Sequence, residues 1–262
     1  MYYVSIHFMQ NFPDSGEVHV WWATLAALAA HAGTWWARLS NAERAAALRQ
    51  VWEADRARAV SARGMLRTVM AGYLGIEPAS VAFHVGTCGK PVVVHGAGGG
   101  PAFSLSHSGD FVLLAVAAKG VSVGIDIEQH RPMDDWPAIA AHHFHPSEVD
   151  DLHALEPTRQ QAAFFDCWTR KEAVVKATGL GLSQPLAAFR VSVTPGAPVR
   201  LLEGAPLLSA PDHWHLQALA VAPGYSACLA VQSAMHGAPH AGPQNRKPTP
   251  RVKPLPFRPS LL

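Results

Sequence analysis

One succession of elements occurs twice along this chain, and the repetition constrains the fold more than any single segment does. In the first half a strand-like run, Val18–Trp22, precedes Ser40-Asn41-Ala42-Glu43, which has the form of a helix N-cap box. Helical spacing then runs through Leu48, Val51, Trp52, Val60, Leu66 and Val69 to a stop at Gly72 or Gly75. Strand-like Val81–Val85, a glycine-rich loop and a hairpin (Phe103–Ser106 with Phe111–Val116, turning at Ser108-Gly109-Asp110) complete that half. The second half has strand Val121–Ile127, helix starts at Ser147-Glu148 and Pro157-Thr158, and helical spacing through Phe164, Phe165, Trp168 and Val175 to Gly179. Strand Phe189–Val193 follows, then a hairpin, Leu216–Val221 with Ser226–Val231, around Pro223-Gly224. Glu43 stands 32 positions before Gly75, and Glu148 stands 31 before Gly179. Mixed strands and long helices in duplicate predict an α+β fold, a pseudo-twofold tandem of two similar α/β-type halves with a ligand cleft between them.

The predicted units are residues 1–119, 120–235 and a tail, 236–262. The tail holds seven prolines in its last 26 residues with few apolar anchors, so it is expected to be disordered. Five basic residues and no acidic ones lie there; without them the formal charge of +2 becomes −3. The body is therefore not a general polyanion binder, and nucleic acid is not an expected partner. Cys88, Cys167 and Cys228 form no CxxC pair, which predicts neither a zinc site nor a disulfide framework and favours a reducing compartment. The most apolar run, Val18 to Ala32, is interrupted by His19 and His31 and falls short of the roughly 20 residues a bilayer span requires. With no basic leader before it, a cytoplasmic protein without a membrane partner is expected.

Three segments carry chemistry. In Val123-Gly124-Ile125-Asp126-Ile127-Glu128, strand alternation puts Asp126 and Glu128 on one face. Two adjacent carboxylates repel unless a cation joins them, and hard oxygen ligands suit magnesium; the plainer alternative is a strand end with two solvated acids. In Trp168–Lys176, helical spacing puts Trp168, Glu172 and Lys176 near one face, where the aromatic residue carries the charges inward; the alternative is an ordinary exposed ion pair. Phe103-Ser104-Leu105-Ser106-His107-Ser108-Gly109 offers hydroxyls and an imidazole to a phosphate, or else a polar hairpin turn. Ser106 and His107 are not a nucleophile and its base, because neighbours on a strand point to opposite faces. His142-His143-Phe144-His145 lacks a further ligand, so no transition-metal site is predicted.

Taken together, FSLSHS (Phe103–Ser108), VGIDIE (Val123–Glu128), FHPSE (Phe144–Glu148) and WTRKEAVVKATGLGL (Trp168–Leu182) resemble the motif set of the Sfp-type 4′-phosphopantetheinyl transferases. The resemblance spans roughly Val18 to Gln232. It implies a monomeric, pseudo-dimeric enzyme. This enzyme would transfer the 4′-phosphopantetheine group of coenzyme A to a serine of an apo acyl, peptidyl or aryl carrier protein, releasing adenosine 3′,5′-bisphosphate. By that resemblance Asp126, Glu128 and Glu172 are magnesium ligands, and Glu148 is the general base that takes the serine proton. Lys176 stabilises the leaving group, and Ser106 with His107 contacts a phosphate. Lys171 draws phosphate charge, and Arg63 and Lys90 hold the 3′-phosphate end. The first half would contact the nucleotide, while the second half would supply the magnesium and catalytic residues. The family's early helix often carries lysines for the nucleotide, whereas Asn41–Gln50 has Arg44 and Arg49, and no role is transferred to these two. Two other classes share the residues: a magnesium-dependent phosphodiesterase, and a non-catalytic module that binds coenzyme A or a carrier.

Overall fold

The computed structural model describes residues 13–14, 16–86, 89–96, 99–206, 208, 210–232 and 249–257. In the first half, strands β1 (Glu17–Thr24), β4 (Ala102–Ser108) and β5 (Phe111–Ala117) form an antiparallel sheet with β5 in the middle. In the second, β6 (Ser122–Gln129), β9 (Trp214–Ala218) and β10 (Tyr225–Gln232) do the same with β10 in the middle. Between them the short hairpins β2 (Ala82–Val85) with β3 (Pro91–Val94), and β7 (Arg190–Val191) with β8 (Leu201–Glu203), occupy matching places in the order.

Each half is built on one 22-residue helix, α4 (Glu53–Leu74) and α7 (Pro157–Thr178). Both end at a glycine in the left-handed region, Gly75 (φ 66°) and Gly179 (φ 72°), where a side chain would meet a steric penalty. The shorter helices are α1 (Leu25–Ala29), α2 (Ala32–Arg38) and α3 (Asn41–Leu48) before α4, and α5 (Trp136–His143) and α6 (Pro146–His153) before α7. Ser40 and Glu43 make the reciprocal N-cap bonds expected of a capping box at the start of α3.

The continuous helix expected from Ser40 to Gly75 is in fact two. The chain breaks between Leu48 and Glu53, with Trp52 as the extended N-cap of α4 and Glu53 and Asp55 in its first turn. Val51 and Trp52 are 83% and 72% exposed, so their helical spacing reflects no buried face.

The tail differs from expectation as well. Residues 251–256 form β11, which adds in parallel to the free edge of β1, so that segment is ordered. The amides of Arg251 and Phe257 donate to Gly16 and Trp22 at the two ends of β1. By alternation Pro254 and Pro256 fall on the outward-facing positions, where no ladder donor is needed; an edge strand tolerates proline there. Phe257, 6% exposed, packs beside Trp35 and is the apolar anchor that the proline content obscured. The rest of the predicted tail lies outside the described residues.

Each half has its own core, one around Trp35, Met65 and Leu66 and one around Phe144, Phe164 and Phe189. A third cluster joins them: Val20, Leu113 and Ala115 pack against Val123, Ile125 and Leu229. The seam beside it is made by side chains. Ser104 accepts from the Ile125 amide, Ser106 donates to Asp126 and Ser108 donates to Glu128, so alternate serines of β4 tie it to β6.

Candidate active site

A cleft of about 1210 Å³ opens between the halves. Its second-half wall carries Asp126 and Glu128 of β6 and Trp168, Glu172 and Lys176 of α7; its first-half wall carries Ser106 and His107 of β4, Arg63 of α4 and Lys90. Strand alternation and the helical i, i+4, i+8 spacing bring these distant positions onto one surface.

Asp126 is nearly enclosed. Its Oδ1 accepts from Lys176 Nζ at 2.6 Å and from Ser106 Oγ at 2.8 Å, while Lys176 also donates to Ser106 at 3.0 Å. Its Oδ2 is buried with no hydrogen-bond partner. Glu128 accepts from Ser108 Oγ at 2.8 Å. Glu172 makes no hydrogen bond or ion pair among the described residues. Burial, followed by the charge of Asp126, pushes both Glu128 and Glu172 above the ordinary carboxylate value. The site is therefore short of positive charge. Three carboxylates, one with a buried orphan oxygen, are the donor set that suits a hard divalent cation. No three of the described His, Cys, Asp and Glu side chains converge into a finished metal shell, so a ligand's oxygens would have to complete it.

Ser106 and His107 diverge. Ser106 is buried against Asp126, whereas His107 is exposed on the cleft side, where desolvation, then Lys176 and Arg58, push its imidazole below the ordinary value. Arg63 lines the cleft without an intramolecular partner among the described residues. Lys90 reaches across the halves, donating to the Val123 carbonyl at 2.9 Å and the Ala177 carbonyl at 3.4 Å, and burial lowers its pKa to about 8. On α3 the cleft face is Ala42, Glu43, Ala46 and Ala47, with Gln50 just beyond its end. Arg44 turns away from it to the backbone carbonyls of Trp36 and Ala37.

Two expected site residues are not in the cleft. Lys171 and Glu148 are both fully buried, and their side chains pair with each other at 2.7 Å. Lys171 is turned about 100° around α7 from Glu172, on a side of the helix that the fold buries, so it enters the core rather than facing a phosphate. Glu148 is the capping-box residue of α6, accepting from the His145 amide, and its other oxygen accepts from the Val191 amide at 2.6 Å. Every oxygen of the expected base is thus held by the fold. Trp168, expected to carry the Glu172 stripe inward, lines the cleft, and so does His143, to which the sequence assigned no role.

The cleft thus sets three carboxylates on one wall across from Arg63, Lys90 and His107 on the other. Comparison with known proteins names a family. Residues 27–119 match the family model described as 4′-phosphopantetheinyl transferase, N-terminal, and residues 122–230 match that of the 4′-phosphopantetheinyl transferase superfamily. The chain is 38% identical over 213 residues to the 4′-phosphopantetheinyl transferase HetI of Nostoc sp., covering 79% of this chain and 89% of that protein. It is 34% identical to the 4′-phosphopantetheinyl transferase psf-1 of Bacillus pumilus, over 75% and 78% of the two chains. It is 38% identical to the 4′-phosphopantetheinyl transferase of Bacillus subtilis, over 48% and 54%. The chain belongs to the 4′-phosphopantetheinyl transferase family.

Proposed function

We propose that this protein transfers the 4′-phosphopantetheine group of coenzyme A to a serine hydroxyl of an apo acyl, peptidyl or aryl carrier protein, with Mg²⁺ at Asp126, Glu128 and Glu172. The observation that carries the metal assignment is the buried, unpartnered Oδ2 of Asp126 beside two carboxylates whose protons are held too tightly. Bound there, magnesium would neutralise phosphoryl charge.

The serine oxygen attacks the β-phosphorus, the bond from that phosphorus to the bridging oxygen breaks, and adenosine 3′,5′-bisphosphate leaves. Positioning and charge stabilisation dominate such a transfer. Lys176, held at the cleft surface by Asp126 and Ser106, faces the charge that grows on the leaving phosphate. Arg63, Lys90 and His107 line the first-half wall where the remaining phosphates of coenzyme A would lie. Among the described residues Glu172 has no hydrogen-bond partner, so its oxygens remain open to the cation, and the serine proton would leave through water in the open cleft.

The two halves supply within one chain the pairing that a dimer would supply, and we infer a monomeric, cytoplasmic enzyme. Among the described residues no helix is long and apolar enough to cross a membrane. The test is mass spectrometry of apo carrier proteins incubated with coenzyme A and magnesium. A gain of about 340 Da on the acceptor serine is expected, the size of the transferred group. Metal-dependent breakdown of coenzyme A with no carrier modified would replace this reading with hydrolysis.

A further inference from the structure

The pair Glu148–Lys171 is a fully buried charged cluster that the proposed reaction leaves unused. Both side chains are 0% exposed. Lys171 Nζ donates to Glu148 at 2.7 Å, to the Leu186 carbonyl at 2.9 Å and to the Phe189 carbonyl at 2.7 Å, and it lies 4.3 Å from the Phe189 ring centroid. Glu148 accepts in addition from the amides of His145 and Val191. One ion pair thereby fastens four separate segments: the start of α6, the middle of α7, the 3₁₀ turn Leu186–Ala188 and β7. Two of these are walls of the cleft. Leu186, with Gln184 and Pro185, lines it from the loop, and Glu172, the residue after Lys171, lines it from the helix.

We infer that Glu148 and Lys171 are positioning residues, a buried anchor that sets the 184–186 wall and the pitch of α7 at Glu172, and that Glu148 does not take the serine proton. A base must reach the hydroxyl it deprotonates. Glu148 has no exposed atom, does not line the cleft and has both oxygens occupied. The geometry instead makes the pair a unit. Removing one member strands the other as a buried, uncompensated charge, whereas removing both leaves no such charge. The two roles therefore predict opposite patterns across a double-mutant cycle.

This inference rests on the transfer reading, so wild type with coenzyme A, magnesium and an apo carrier comes first; if wild type does not transfer, that reading fails and the anchor is not at issue. With wild type active, Glu148→Gln, Lys171→Met and the double variant are compared by kcat, KM for coenzyme A and the pH profile of kcat. The anchor predicts that both single variants lose about 100-fold in kcat/KM, as a misplaced cleft wall does. It also predicts that the double variant recovers to within about 10-fold of wild type, and that the acidic limb of the profile stays where it was. A base at 148 predicts the reverse: Glu148→Gln and the double variant equally inactive, the acidic limb gone and Lys171→Met near normal, and that result overturns the proposal. Where a variant does not fold, the wild-type enzyme still decides by hydrogen exchange of the Val191 amide. With coenzyme A, magnesium and a carrier whose acceptor serine is replaced by alanine, the anchor keeps that amide protected. Loss of protection on forming the complex means that the carboxylate swings out, and the proposal fails.

Discussion

Gly124 of β6 lies so close to α7 that a Cβ built on it would come within 1.9 Å of the Ala173 carbonyl oxygen and 2.5 Å of the Ala177 nitrogen. Both obstacles are backbone, so no side chain can swing aside. Gly124→Ala must lift α7 from the sheet, and Glu172 and Lys176 with it. A cost of about 1–3 kcal/mol or more is expected, read as a lower urea midpoint, together with a fall in transfer as Glu172 and Lys176 are displaced. A variant with the wild-type midpoint and rate would show that the site does not depend on this contact.

Glu172→Gln is expected to abolish transfer while raising stability. The folded-state pKa of Glu172 is raised by burial and by Asp126, so the folded protein binds more protons than the unfolded chain between the ordinary carboxylate value and the raised one. Stability contributed by the group therefore falls as pH rises through that window, and at neutral pH the buried charge is a burden. Removing it should raise the melting temperature in metal-free buffer, by about 2–4 °C for each kcal/mol relieved. Magnesium should stabilise wild type by mass action and the variant less. A variant that melts lower than wild type, or gains as much from magnesium, contradicts the assignment.

Lys90 gives the site a pH dependence. Burial lowers its pKa to about 8, so its charge fades as pH passes that value. The sign for folding is opposite to that of Glu172: the folded state binds fewer protons than the unfolded chain between about 8 and the ordinary lysine value of 10.5, and stability rises with pH across that range. If Lys90 also faces a phosphate, KM for coenzyme A climbs between pH 7 and pH 9. In Lys90→Met it is high and flat. A flat wild-type KM over that range would leave Lys90 only its two backbone carbonyls, as a strap between the halves.

Phe257→Ala tests the ordered end of the chain. Truncating a buried phenylalanine costs about 3–5 kcal/mol when its surroundings cannot collapse, and Phe257 packs beside Trp35. The variant should unfold at lower denaturant yet transfer at the wild-type rate in its absence, because neither ring touches the cleft. An unchanged midpoint would mean that β11 adds nothing to the sheet.

What the sequence made legible follows the two backbone periodicities. Asp126 and Glu128 meet on one face because strand side chains alternate, and Trp168, Glu172 and Lys176 meet because helical positions four apart coincide. The capping box at Ser40 and the glycine stops at 75 and 179 are local chemistry, readable without any partner. What escaped is decided by distant partners. Lys171 and Glu148 are 23 positions apart, and two ions that satisfy one another in a core have the same letters as two solvated ions on a surface. The serines of β4 read as phosphate donors because their hydroxyls were counted without the strand they would face; three of them bond β6 instead. Pro254 and Pro256 argued for disorder until the edge of β1 supplied a side on which their missing amides do not matter.

The addition of β11 to β1 also orders events in time. The first strand of the first sheet receives its outer neighbour from residues 251–256, more than 220 positions later in the chain. On a ribosome, which releases the chain from its N-terminus, the second half can complete its own three strands before the first half has its full edge. The earliest-made sheet is thus among the last to be finished, and until the closing residues emerge the outer edge of β1 stands open to any other strand that reaches it.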